Sequence, residues 1–462
     1  MSRLINQKAN FGTMPVFMTT VSTILGAILF LRFGYAVGHQ GFVGALLIII
    51  LGHVVTFPAA MAVAEIATNQ KVQGGGAYFI ISRSFGLNIG AAIGIALFAS
   101  QAISVSFYVI AFAEASDPLI SWANNAFNFP LIDKRWISIP TMTVISFLIL
   151  RRGANLGMKA LYVVVIILFT AIIFFLLGKP VTSDFAFNPT ERVENPDDFF
   201  YVFTIIFPAF TGLAAGLGLS GDLRDPSKSI PKGTLWATGV GFFVYIIVAY
   251  KLAISASPED LANDQLIMQR IAIWGPIVPI GLAAASLSSA LGSVMVAPRT
   301  LQAIGLDQVF PTKFINNWLA QGKPVSNEPA NSSIITIIIG FFFIIIGDIN
   351  FVAQIISMFF MVTYGAVCLI SLLEHFAADP SYRPTFKSRW YLSLVGGVFS
   401  IWLMFKMNMP YAILSLVIMT GIYFMVTSYR REKKGLEKLF RGVIFQLSRQ
   451  LQVFAQQADK ED

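Results

Sequence analysis

Charge is scarce in this chain. Only 12% of its 462 residues are Asp, Glu, Lys or Arg, against 56% that are hydrophobic. A soluble domain carries about twice that charged fraction. Cysteine is nearly absent too. The single Cys368 rules out disulfides and cysteine metal centres within one chain, and in its apolar run it reads as a small core residue. The three histidines, His39, His53 and His375, lack metal-ligand spacing and read as structural. Gly74-Gly75-Gly76 has no following Gly-Lys-Ser/Thr, so it reads as a tight connection and not a phosphate loop. Neither a Gly-x-Ser-x-Gly elbow nor a serine with a partnered base occurs, which leaves an enzyme without support. The alternating pattern of a membrane β-barrel is missing. So is a cleavable signal, because Met1 to Gly12 is polar and short and no convincing cleavage site follows.

What is present in quantity is apolar runs of bilayer length. They predict an all-α polytopic membrane protein of about 12 transmembrane helices, over 14–37, 42–66, 88–115, 135–150, 159–178, 199–219, 233–254, 274–297, 332–347, 350–374, 391–405 and 409–428. The net charge of +8 does not point to nucleic acid, since the basic residues flank the runs and mostly fill alternate connections. Arg3 and Lys8, then Lys71 and Arg83, then Arg151, Arg152 and Lys159 are on one side, with Arg224, Lys228, Arg299, Lys323, Arg383 and Lys387 further on. The 179–198 connection is acidic. Both termini are therefore expected in the cytoplasm, in a multi-pass protein of the cell (plasma or inner) membrane. The organisation expected is a cytoplasmic N-terminus at 1–13, a first repeat over 14–178, a second over 199–374, two extra helices over 391–428, and a tail over 429–462. That tail contains an amphipathic stretch beginning at Leu436, suited either to the inner membrane face or to a homodimer contact.

Two runs are broken by small residues. Ser22-Thr23-Ile24-Leu25-Gly26-Ala27-Ile28 interrupts the first span, and Pro208-Ala-Phe-Thr211-Gly212-Leu213-Ala214 the sixth. Gly or Pro there frees backbone groups that hydrocarbon cannot solvate, so the breaks must line a cavity or coordinate something. Broken spans five apart suit two inverted five-helix repeats and a transporter's substrate site. Helix N-termini after Gly26 and Gly212 suit an anion such as chloride or a carboxylate. In span 8, Ala285 with Ser288 and Ser289 offers hydroxyls for a hard cation, or simply small residues for helix packing. Tyr108 and Tyr364 lie within spans, where a phenol needs a partner. Glu65 is a candidate coupling residue as an intramembrane carboxyl group, or else part of a solvated helix end.

The chain resembles the cation-chloride cotransporters, a branch of the amino acid-polyamine-organocation superfamily. The likeness lies in Ile24-Leu-Gly-Ala-Ile-Leu-Phe-Leu-Arg32, in Ile66-Ala-Thr-Asn69 with Gly74 to Arg83, and in Phe207-Pro-Ala-Phe-Thr-Gly212. It continues in Ser220-Gly-Asp-Leu-Arg-Asp-Pro-Ser-Lys and in Leu287-Ser-Ser-Ala-Leu291 running to Ala297-Pro-Arg. The resemblance implies a LeuT-like core, with no cofactor, and coupled uptake of Na⁺, K⁺ and Cl⁻ by alternating access. It implies a Na⁺ site at Ser22, Leu25, Ala285, Ser288 and Ser289, the serine pair being one that potassium-chloride members lack. It implies a K⁺ or substrate-cation site at Thr23, Ile24, Tyr108, Pro208 and Thr211. Chloride or a carboxylate would bind at Gly26, Ala27 and Ile28, and at Gly212, Leu213, Ala214 and Tyr364. Thr23 stands where the family usually has Asn, and Glu65 where it has a small residue. A Glu at that position is similar to amino-acid permeases, and a Na⁺-coupled amino-acid permease is the alternative reading.

Overall fold

The computed structural model describes residues 12–69, 76–127, 133–152, 158–181, 187–218, 223–323, 328–377, 382–429, 441–446, 448–449 and 451–453. Expectations that fall on residues 1–11, Lys71, Gly74, Gly75, Ser220 to Asp222 and most of the tail lie outside the described residues. Among those described there is no strand, only an isolated bridge between Gly322 and Pro329.

In chain order the helices are α1 (Thr13–Ile24), α2 (Ala27–Leu31), α3 (Phe33–Asn69), α4 (Gly76–Phe85), α5 (Leu87–Ala115), α6 (Asp117–Phe127), α7 (Arg135–Arg152) and α8 (Met158–Leu176). After the acidic connection come α9 (Phe199–Ile206), α10 (Leu213–Leu217), α11 (Pro226–Ala253), α12 (Pro258–Asn263), α13 (Ile267–Ile271) and α14 (Ile277–Leu306). The chain continues through α15 (Lys313–Ala320), α16 (Ala330–Ile346), α17 (Ile349–Ala377), α18 (Trp390–Met407) and α19 (Met409–Tyr429). Among the described residues nine helical stretches are long and apolar enough to cross a bilayer. Three shorter apolar helices, Arg135–Leu150, Leu161–Leu176 and Ala330–Ile346, fall on the other expected spans.

Two helices run past their expected limits. Helix α11 starts at Pro226, whose missing N–H and fixed φ suit a first turn, and α14 continues to Leu306. Helix α3 contains a sharp break at Gly41, with φ at +67°. An L side chain would be strained at that φ, and its Cβ would sit 3.0 Å from the Glu191 carbonyl oxygen. The first two expected spans therefore meet at a glycine.

Burial ranks the helices. In α5 and in Phe199–Leu217, 83% of the most apolar window is buried, and in Thr13–Leu31 and α17 it is 72%. The figure for α19 is 17%. The two broken stretches therefore occupy the middle of the bundle beside α5 and α17, while α19 is peripheral. The short helix at 441–446 lies against the end of α17, where a Cβ at Gly442 would be 3.2 Å from Ala377.

Candidate functional site

Both breaks form where the sequence removes helical options. Helix α1 stops at Ile24, and Gly26 adopts ψ −143° before α2 begins. A Cβ at Gly26 would lie 2.9 Å from the Thr23 carbonyl oxygen, so a larger residue cannot take the turn without displacing backbone. In the second break, Pro208 has no N–H for an α-helical bond. The chain tightens into a 3₁₀ turn over Phe207–Phe210 and re-enters a helix after Gly212. Thr211 turns its N–H (3.2 Å) and its hydroxyl (2.7 Å) back onto the Pro208 carbonyl.

The two breaks touch. A Cβ at Gly212 would lie 2.6 Å from Ile24 Cγ1 and 2.9 Å from the Thr20 carbonyl oxygen. Tyr245 of α11 ties them together, since its hydroxyl bonds the carbonyl oxygen of Ile24 and, at 2.9 Å, that of Ala209. Its ring stacks on Phe33 with centroids 4.7 Å apart and meets Phe210 edge-on at 5.1 Å. Tyr364 of α17 donates to the Thr211 carbonyl oxygen at 2.8 Å. Two phenols thus serve three carbonyls that the broken helices leave without an amide partner, which is what burial in hydrocarbon requires.

Of the expected cation ligands, Ser22 and Thr23 both donate to the Thr19 carbonyl oxygen, at 3.0 and 2.9 Å. Their hydroxyls are therefore satisfied within the helix, and what the break offers is backbone. Leu25, Gly26, Ala27 and Ile28 are buried, as are Leu213 and Ala214. Helix α14 packs beside α1 and α2. On it Ala285 and Ser289 are buried and Ser288 is half-buried. The Oγ atoms of Ser289 and of Ser286, one helical turn earlier, are buried without a hydrogen-bond partner among the described residues. Tyr108 of α5 is buried against Phe107 and its hydroxyl has no hydrogen bond among the described residues.

Charged groups keep away from this level, and α17 measures the distance. Asn350, fourteen residues or about 21 Å before Tyr364, accepts from Arg32 Nε at 2.9 Å. Arg32 also donates to the Leu31 carbonyl oxygen at 3.1 Å and stands 3.7 Å from Glu114, both side chains being buried. Nearby, Tyr35 donates to Asp197, whose own N–H donates to His39 Nδ1 at 2.9 Å. Seven residues beyond Tyr364, Ser371 donates to Glu65 Oε2 at 2.9 Å. Glu65 is 1% exposed, buried among protein groups in the last turns of α3.

Sequence reasoning missed Tyr245. The signal was available, because a tyrosine in the middle of Phe242-Phe-Val-Tyr245-Ile must find a buried acceptor. It also missed that His375 and Glu65 are neighbours, 3.5 Å apart. They are 310 positions apart in sequence, and only the packing of α3 on α17 joins them.

A sequence model of the amino acid permease family matches residues 15–440. The chain belongs to that family. Its members carry solutes across membranes, and the chain is a multi-helix membrane protein of that transporter family. Curated relatives include solute carrier family 12 member 2 of Squalus acanthias, 33% identical, and of Homo sapiens, 32% identical, each aligned over 89% of this chain. Solute carrier family 12 member 9 of Danio rerio is 29% identical over 88% of the chain. These relatives are of the cation-chloride cotransporter branch. The chain spans 39%, 38% and 49% of their respective lengths, less than half of each. Among solved structures, a manganese transporter of Eremococcus coleocola in complex with an aromatic bis-isothiourea compound superposes with a TM-score of 0.51. It covers 94% of this chain at 12% identity, so the likeness is one of fold, the LeuT-like arrangement.

Proposed function

We propose that the chain is a Na⁺-coupled symporter that moves Na⁺ and K⁺ with chloride by alternating access. The observation that carries this reading is the meeting of two broken helices at a level built from backbone carbonyls and hydroxyls, with no charged side chain. Oxygen ligands of that kind replace the hydration shell of a hard cation. Na⁺ would take the Ser22, Leu25 and Ala285 carbonyls and the hydroxyls of Ser288 and Ser289, the Ser289 hydroxyl being unpartnered among the described residues. K⁺ would lie against Thr23, Ile24, Pro208, Thr211 and the Tyr108 hydroxyl. Chloride would use the amides after Gly26 and those after Gly212 near Tyr364. Around this core we place twelve spans, as inverted repeats over 14–178 and 199–374 with two further helices over 391–428. Both termini face the cytoplasm in a cell-surface membrane.

A second reading has a specific support, the match to amino acid permeases over residues 15–440. An amino acid would set its carboxylate at the Gly26 amides and its ammonium where K⁺ would lie. Uptake into proteoliposomes under an inward Na⁺ gradient separates the two. A K⁺ tracer should enter only when chloride is present. Uptake of a labelled amino acid that is indifferent to K⁺ and chloride would replace the ion reading with the second one.

A further inference from the structure

The strongest feature left unused by the ion site is the pocket of polar groups around Glu65. The carboxyl group lies between three elements. Helix α17 supplies Ser371, Glu374 and His375, and α18 supplies Ser393, whose Oγ is 3.0 Å from that of Ser371. The segment 382–389 lies across the end of α3, where the Phe386 N–H donates to Thr68 Oγ1 at 3.1 Å and the Arg383 N–H to Asn69 Oδ1 at 2.7 Å. From this segment the Ser388 backbone faces both Glu65 and His375. Arg383, Lys387 and Arg389 on the same segment are exposed. Lys387 acts on Glu65 only from that exposed position. Tyr382 carries no charge here, because burial, and after it the nearby Glu65 and Glu374, push its phenol well above the ordinary value.

Glu65 Oε2 is engaged by Ser371, while Oε1 faces His375 Nε2 at 3.5 Å. Nε2 is itself buried and makes no hydrogen bond among the described residues. One oxygen and one nitrogen thus stand 3.5 Å apart inside the protein. With neutral imidazole and ionised carboxyl the pair carries −1. One added proton brings it to zero, whichever atom holds it. A buried charge is retained only if it is paired or neutralised. His375 is also half-buried, with its side chain 24% exposed, and therefore connects the inner carboxyl group to solvent.

We propose that Glu65 and His375 together form a proton-binding site, in which one proton held between Oε1 and Nε2 fastens α3 to α17. The site does not depend on which solute the transporter carries. Its consequence is that loss of the proton loosens the contact between α3 and the helix whose Tyr364 holds the second break.

The chain has only three histidines, so imidazole-labelled protein in lipid can be titrated by solid-state NMR, with His375 identified by the signal lost in His375→Gln. In Glu65→Gln the proton affinity of His375 should fall at least about tenfold, because the carboxylate that holds the proton is gone. Ser371→Ala keeps both members and removes a donor that favours the ionised carboxyl group, so the proton affinity of the pair should rise. An unchanged His375 midpoint in Glu65→Gln would overturn the proposal. If that variant does not fold, an unchanged midpoint in Ser371→Ala overturns it equally. Uptake measured over the same pH range keeps the two claims apart. A normal His375 titration without K⁺ or chloride uptake rejects the proposed ions and leaves the proton site standing.

Discussion

The middle and the two ends of α17 are built from different chemistry. At the level of Tyr364 the polar groups are carbonyls, hydroxyls and amides, with the buried His53 imidazole packed on Phe210, and Tyr245 and Tyr364 tie the broken helices by hydrogen bonds. At one end Arg32 and Glu114 form a buried ion pair with Asn350 bonded to Arg32, and at the other Glu65 stands 3.5 Å from His375. On the ion-symport reading proposed above, the difference reflects what each region has to do. A site that exchanges small ions must release them, and neutral oxygen ligands bind weakly enough for that. A fixed charge at the same level would either trap a counter-ion or demand a permanent partner. The ends bear no such restriction, and there charge can fasten one helix to another.

The largest effect should come from the ionic end. Arg32→Met takes from the buried Glu114 its nearest cation, and loss of one member of a buried pair costs about 3–5 kcal/mol. Thermal unfolding in detergent should show it, and Arg32→Met with Glu114→Leu should regain most of the loss. A single variant as stable as wild type would mean that the end is not held by charge. Next comes the middle. Tyr245→Phe removes the donor to both Ile24 and Ala209, and each carbonyl left buried without a partner costs about 1–3 kcal/mol. Since those carbonyls belong to different breaks, transport should fall more than stability. Equal flux in the variant would show that the breaks do not need the phenol. The smallest effect is expected at Tyr108. Tyr108→Phe should weaken the apparent affinity for K⁺ about three- to tenfold, the worth of about one hydrogen bond. Sodium activation should not change, and an equal loss for both cations would remove Tyr108 from the K⁺ site.

Much of the fold was legible because hydropathy and glycine are local signals. Each expected span has its helix, and the breaks at Gly26 and at Pro208 to Gly212 are where the small residues announced them. Pairings between distant segments were harder to read. Nothing in the sequence near Tyr245 names Ile24 or Ala209 as its acceptors, and His375 gives no sign of Glu65. Short helices outside the apolar runs were also missed, since five to eleven residues carry too little periodicity to stand out. Helix α15, for example, is secured by Asn316, whose side chain bonds Phe310 at both its N–H (3.0 Å) and its carbonyl oxygen (2.7 Å). Ser22 and Thr23 teach a further point. A helical hydroxyl bonds its own backbone readily, and both donate to the Thr19 carbonyl oxygen, so which of their atoms face the break was not legible from residue type.

The claim that α14 and the first break together hold the coupling ion has a direct test in the Na⁺ dependence of uptake by the double variant Ser288→Ala with Ser289→Ala, reconstituted beside wild type. Removing two hydroxyl ligands should raise the Na⁺ concentration for half-maximal uptake at least about tenfold, or abolish Na⁺ stimulation, while the protein stays folded. Unchanged Na⁺ activation in the folded double variant would contradict the site and, with it, the Na⁺ coupling built on it.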